Sequence, residues 1–270
     1  MSLHTNIRYP AVAGSFYPGY ADELNSSVQA YLDNVETDAR SQAPQARPRA
    51  MIVPHAGYIY SGPVAASAYA QLIPFAQHIS KVVLLGPSHR VPFRGIATSS
   101  LDYFQTPLGD IPLDRKLIDK LEQLPFVQSY DEAHLQEHSL EVQLPFLQKT
   151  LPEFTLVPLV IGQIDDQQVS EVFESLWQEQ DTLFLISSDL SHYLDYNSAQ
   201  QSDQATSKAI AALTPQNIHY EQACGRSGIA GMLISAKRHN LNVQMLDLRN
   251  SGDTAGTKDS VVGYGAWVFF

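Results

Sequence analysis

Histidine recurs behind three hydrophobic runs of this chain, in Val53-Pro54-His55-Ala56-Gly57-Tyr58, Gly86-Pro87-Ser88-His89-Arg90 and Ser187-Ser188-Asp189-Leu190-Ser191-His192. Each run reads as a buried strand. Proline removes a ladder donor and glycine permits an unusual turn, so the imidazoles of His55 and His89 can project from the end of a strand. Strand ends on one edge of an α/β sheet are where such folds build their sites, and imidazoles gathered there suit a metal centre or general acid/base chemistry. The alternative for each histidine is a hydrogen bond to a loop carbonyl. The repetition of the design in two neighbouring segments argues for a shared site.

Other residues bear on that chemistry. Cys224, the sole cysteine, lies in Gln222-Ala223-Cys224-Gly225-Arg226-Ser227-Gly228-Ile229, before a helical pattern. A helix N-terminus there would lower the thiol pKa toward thiolate, the form that ligates metal or attacks. A small buried hydrophobe is the competing reading, and one cysteine excludes an internal disulfide. Arg226 either binds an anionic group or pairs with surface acids. Asp189 and His192 are three apart, a spacing that lets the carboxylate orient the imidazole as an acid/base pair; a helix cap is the competing role for Asp189. Ser187, Ser188 and Ser191 lack a Gly-x-Ser-x-Gly elbow, which leaves serine hydrolysis a minor reading. Glu137-His138-Ser139-Leu140-Glu141 opens a helical pattern in which Glu137 and Glu141 share a face; His138 and Glu141 are expected to support the site from behind, with solvent-facing charges as the competing reading. His4, His78, His134, His219 and His239 have no such context and are expected at the surface. No Cys-x-x-Cys, His-Glu-x-x-His, Walker loop or dinucleotide fingerprint occurs.

The elements that must position these groups follow from hydrophobic periodicity. Strands are predicted over 50–54, 81–85, 96–99, 155–161, 182–187, 243–249 and 261–270, and helices over 21–35, 62–72, 114–123, 140–150, 166–178, 198–212 and 228–239. Near-continuous apolar strands alternating with helices point to a three-layer α/β sheet covered on both faces. Segment 191–196 reads as a loop. Segment 36–49, rich in Ala, Gln, Arg and Pro, reads as a short linker within one domain spanning 1–270. Segment 9–18 is dense in Gly, Pro and aromatics, and either packs on the sheet edge or lines a pocket. At 270 residues, with 44% hydrophobic and 17% charged residues, the chain can bury a full core. A formal charge of -11 without a Lys/Arg cluster argues against a nucleic-acid partner. No apolar run approaches the roughly 20 residues of a membrane span and no signal peptide is evident, so a cytoplasmic protein without membrane partners is expected.

Taken jointly, segments 10–18, 54–62, 86–90, 137–145, 187–193 and 224–229 resemble the Memo family, also labelled AmmeMemoRadiSam system protein B, nearly end to end. The resemblance implies a three-layer α/β/α sandwich with a mixed, mostly parallel central sheet, similar to class III extradiol dioxygenases. It also implies a metal position made by His55, His89 and Cys224, with Asp189 and His192 close by and His192 as the acid/base group. Tyr58, Arg90 and Arg226 are then candidates for holding substrate. Extradiol enzymes place two histidines and a carboxylate on Fe(II); sulfur in the third position is softer and favours Cu(I), zinc or thiolate-tolerant iron. The leading expectation is a metal-binding protein with a dioxygenase-like pocket, a redox enzyme using iron or copper, with zinc as a third metal. One alternative is a non-catalytic module for an anionic or phosphotyrosine-like ligand held by Arg90 and Arg226, since animal relatives are linked to phosphotyrosine peptides. Another is a hydrolase in which Asp189 and His192 activate water at a metal. The family label further implies a pathway link to radical-SAM and AMMECR-type proteins.

Overall fold

The computed structural model describes residues 6–35 and 46–270; His4 and residues 36–45 of the expected linker lie outside the described residues. The strands are β1 Ile7–Arg8, β2 Ala50–Val53, β3 Lys81–Pro87, β4 Ile96–Thr98, β5 Tyr103–Thr106, β6 Gly109–Pro112, β7 Val127–Ser129, β8 Thr155–Ile161, β9 Thr182–Ser187, β10 His192–Leu194, β11 Val243–Asn250 and β12 Val261–Phe269. The α-helices are α1 Ala21–Asp33, α2 Tyr58–Tyr69, α3 Arg115–Leu121, α4 Glu132–Leu135, α5 Leu144–Thr150, α6 Asp166–Leu176, α7 Tyr196–Ala211 and α8 Arg226–Arg238.

The four most apolar runs become the sheet centre. β2, β9, β3 and β8 lie side by side and parallel, and their residues are almost all fully buried, as expected for strands covered on both faces. β12 continues the sheet antiparallel to β2, with β10 and β11 antiparallel to β12, while β4 runs antiparallel to β8 and carries β7 outside it. The result is a mixed sheet with a parallel core.

Side-chain alternation along β9 assigns the layers. Phe184 packs on Phe173 and Trp177 at the α6 side, and Ile186 faces Gly228 of α8. Ser187, one residue further and on the opposite face, bonds to the Ser139–Gln143 segment that leads into α5. α1, α2 and α5 cover this second face through the rings of Tyr31, Tyr58, Tyr69 and Phe146. At the sheet margin a bulge in β11 between Met245 and Asp247 turns these two side chains to opposite faces; Ser207 of α7 donates to Met245 while Asp247 accepts from Ser67 of α2, so α7 joins the α6 and α8 layer. The α/β sandwich is therefore as the apolar runs predict. No helix among the described residues is long and apolar enough to cross a membrane.

The differences are local. The expected loop 191–196 contains β10, which His192 and Leu194 join by pairing with Val262 and Val261 across a bulge. A second, three-stranded sheet, β1-β5-β6, and the short β7 have no counterpart in the periodicity. α2 begins at Tyr58, directly after the His55 turn.

Candidate metal centre

Because β2, β9 and β3 are parallel, their carboxyl ends open on one edge, and the loops that follow bring His55, Ser187–Asp189 and His89 together there. His55 is buried. Its Nδ1 lies 2.9 Å from Ser187 Oγ. The Ser187 hydroxyl donates its one proton to the Ser139 carbonyl at 2.6 Å and accepts from Gln143 Nε2 at 2.8 Å, so His55 Nδ1–H is the donor and Nε2 carries the lone pair. That Nε2 faces Cys224 Sγ at 3.3 Å.

His89 is fixed by a different device with the same outcome. Glu137 accepts from the His89 backbone N–H at 2.6 Å and from Nδ1 at 2.9 Å, which again leaves Nε2 bare. Burial would raise the Glu137 carboxyl, but the hydrogen bonds from His89 and from the Ser139 N–H hold it down at about 2, an ionised acceptor. A carboxylate or hydroxyl on the far nitrogen is the usual support of a metal-bound imidazole.

His138 stands in the cluster itself. Its ring lies stacked on His89, with centroids 4.7 Å apart, and edge-on to His55 at 5.5 Å, and one nitrogen of each of these three residues lies within 4.8 Å of the others. The expectation that His138 would support the site from behind is corrected. Residues 137–140 are not helical, and the Glu137 clamp on His89 draws this turn against the imidazoles. Phe16 of the aromatic N-terminal segment packs on the other side of His138 at 4.7 Å, so segment 9–18 supplies a wall of the site. For the same reason Glu141 does not share a face with Glu137. It is buried under the N-terminal segment, bound to Arg8, Ala11 N, Val12 N and Tyr17 Oη, and touches no histidine of the cluster.

Burial, followed by the neighbouring imidazoles, pushes His55 well below its ordinary range; burial likewise brings His138 to about 4 and lowers His192. These three are neutral imidazoles at pH 7, the state that ligates a metal.

Asp189 and His192 are neighbours that do not pair as expected. Asp189 Oδ1 accepts the His55 backbone N–H at 2.7 Å, and burial raises the carboxyl to about 7. His192 is oriented instead by the Leu190 carbonyl, which accepts from Nδ1 at 2.7 Å and leaves Nε2 free. Asp189 therefore shapes the His55 turn. The Cys224 expectation is corrected in part: the sulfur is at the cluster, but its thiol is pushed up by burial and by the Asp189 charge. Hydrogen bonds from the Asp189 N–H, at 3.3 Å, from the Ser188 hydroxyl and from the Gly225 N–H pull the thiol down, but by less than burial raises it.

Two expected substrate groups are engaged elsewhere. Tyr58 is buried, with its hydroxyl donated to the Val142 carbonyl at 2.7 Å. Arg226 pairs with Asp166, donates to the Ile218 carbonyl and lies over the Tyr220 ring. Arg90 stays exposed at the rim, where its charge is felt at His138. Of the histidines expected at the surface, His78 and His219 are exposed and His239 is half-buried on Trp177, but His134 is buried, bonded to the Ala97 carbonyl and brought to about 4 by that burial. Ser187, Gln143 and the Glu137 clamp are functional placements that local sequence patterns do not reveal. The Glu-His string at 137–138 is the available signal.

The cluster consistent with a metal ion is His55, His89 and His138, one nitrogen of each lying within 4.8 Å of the others, and Cys224 adjoins it at His55. A tetrahedral ion with nitrogen at about 2.0–2.1 Å and sulfur at about 2.3 Å separates those two donors by roughly 3.6 Å, close to the 3.3 Å between His55 Nε2 and Cys224 Sγ. Fold and site together define a class: an α/β sandwich with a mixed sheet and a strand-end histidine cluster consistent with metal binding. A family model described as Memo-like protein matches residues 8–268, and the chain belongs to the Memo family. It is 36% identical to a MEMO1 family protein of Aquifex aeolicus, with 97% of this chain and 99% of the relative covered. It is 35% identical to another from Methanosarcina barkeri, covering 96% and 98%. Among solved structures it is similar to an uncharacterised Escherichia coli K12 protein, with TM-score 0.53 and 12% identity over 81% of this chain and 99% of that one, a likeness of fold alone.

Proposed function

We propose that the chain is a metal-dependent redox protein of the cytoplasm whose ion, iron or copper, is held by His55, His89 and Cys224. The observation that carries this reading is the pair of imidazoles locked at Nδ1 by Ser187 and Glu137, with the bare Nε2 of His55 3.3 Å from the one sulfur. Bound there, such an ion supplies one-electron chemistry and a cationic centre that favours the Cys224 thiolate.

The chain's own residues do the rest. Ser187 and Glu137 hold the two ligand rings in register, and Asp189 fixes the His55 backbone. His138, stacked on His89, is the imidazole nearest to serving as a further donor. His192 keeps a bare Nε2, is neutral at pH 7, and lies close enough that protonating it would act on His55, so it is assigned the proton transfers. Arg90 at the rim attracts an anionic substrate. The extradiol-like pocket and the link to radical-SAM and AMMECR-type proteins belong to this proposal, and the sulfur ligand moves the chemistry away from ring opening.

Cobalt(II) titration of metal-free protein tests the ligand set. One equivalent is expected to bind with a sulfur-to-cobalt band in the near ultraviolet, absent in Cys224→Ser and retained in His138→Ala. An unchanged band in Cys224→Ser, or one lost in His138→Ala alone, would refute the ligand assignment.

A further inference from the structure

We propose that the cavity on the Cys224 side of the sheet edge binds a small organic anion with an apolar body. This deepens the function proposed above by naming a substrate class, and it rests on that reading only in placing the ligand beside a metal.

The cavity holds about 480 Å³, within the range of small-molecule sites. It lies between the loop after β3, the end of β8 and the start of α8. Its wall is apolar and in part aromatic, from Pro87, Pro92, Phe93, Ile186 and Tyr220. Its charge is one-sided. The chain has 28 acidic against 17 basic residues, yet no carboxylate lines this cavity, while Arg94 does. Among the described residues no ion pair involves Arg94. Ser227 and Gly228, in the first turn of α8, border the same space and add hydrogen-bond donors to a lining without acids. A cavity that excludes every acid of an acidic protein and keeps an unpaired guanidinium is complementary to an anion.

A second large cavity, about 710 Å³ beside the start of β3, has the opposite character. Asp110, Asp114 and Glu153 line it against Lys81 alone. An anion therefore has reason to choose the first.

The position of the first cavity gives it a role. None of the cluster histidines lines it; it meets the centre through Cys224, whose sulfur lies 3.3 Å from His55 Nε2. With its anionic group at Arg94, a ligand lays its apolar body along Phe93 and Ile186 toward the sulfur.

The test uses the metal-free full chain and two fluorescent probes, 1-anilinonaphthalene-8-sulfonate and its uncharged analogue N-phenyl-1-naphthylamine. The sulfonate is expected to bind at one site, and Arg94→Glu to weaken it by about tenfold, attraction having become repulsion, with the neutral probe unaffected. Lys81→Glu, in the second cavity, should change neither. His55→Ala should keep sulfonate binding while losing metal, so a failure of the metal reading is distinguishable from a failure of this one. Equal sulfonate affinity in Arg94→Glu, an equal loss for both probes, or a loss caused by Lys81→Glu would each overturn the proposal.

Discussion

His55→Ala is expected to yield a folded protein that gains no thermal stability from added metal. A ligand that binds only the native state stabilises it by about 2.7 kcal/mol at a hundredfold excess over Kd. For a chain of this length that is a rise in Tm of roughly 5–10 °C. The unaltered protein should show this rise with the metal it binds. The variant should show none, because Nε2 of His55 is the donor closest to the sulfur, and the imidazole is neutral at pH 7 and needs no deprotonation to ligate. Ser187 keeps its bonds to Ser139 and Gln143 without the ring, so the sheet edge should survive. Should His55→Ala not fold, His89→Ala gives the same readout at an exposed position. An equal metal-induced rise in both variants would refute the role of these imidazoles. Differential scanning fluorimetry is sufficient to decide.

Glu141→Ala is expected to cause a large loss of stability, about 3–5 kcal/mol, the range for removing one partner of a buried ion pair. The Arg8 and Glu141 side chains are 2% and 0% exposed. The carboxylate also accepts from Ala11 N at 2.8 Å, Val12 N at 3.0 Å and Tyr17 Oη at 2.6 Å, so its removal leaves four donors without an acceptor. Arg8 keeps only its bonds to the His134 and Glu137 carbonyls, at 3.0 and 2.7 Å. Because this node pins the N-terminal segment that sets Phe16 against His138, the variant should also loosen the wall of the metal centre. Glu141→Gln, which retains an acceptor but not the charge, should cost less. Urea unfolding measures the difference, and a loss below about 1 kcal/mol would contradict the assigned role.

What is legible in the sequence, and what is hidden, follows the range of the forces involved. The central strands are readable because burial on both faces demands unbroken apolar runs, as in Leu183–Ile186. The site edge is readable because His55 and His89 follow such runs directly. Hidden are pairings made at long separation: Arg8 meets Glu141 across 133 positions, and nothing local marks either as buried. His138 is misplaced by local pattern because the spacing of Leu140, Leu144 and Leu147 suggests a helix beginning before it, whereas α5 begins at Leu144. Position before a helix, a local cue, predicts an acidified Cys224 thiol; burial, a tertiary property, outweighs it. β1, β5, β6, β7 and β10 are two to four residues long, too short to show a period of two. Arg226 looks available in the sequence because Asp166, its partner, is 60 residues away.

Whether one ion touches His55, His89 and Cys224 together is the central question, and anomalous diffraction from crystals of the metal-loaded protein, recorded on both sides of the absorption edge, tests it most directly. The expected result is a single strong peak roughly 2.0–2.1 Å from His55 Nε2 and His89 Nε2 and about 2.3 Å from Cys224 Sγ. A peak held by His89 and His138 with the sulfur beyond about 4 Å, or the absence of any peak at this edge of the sheet, would contradict it.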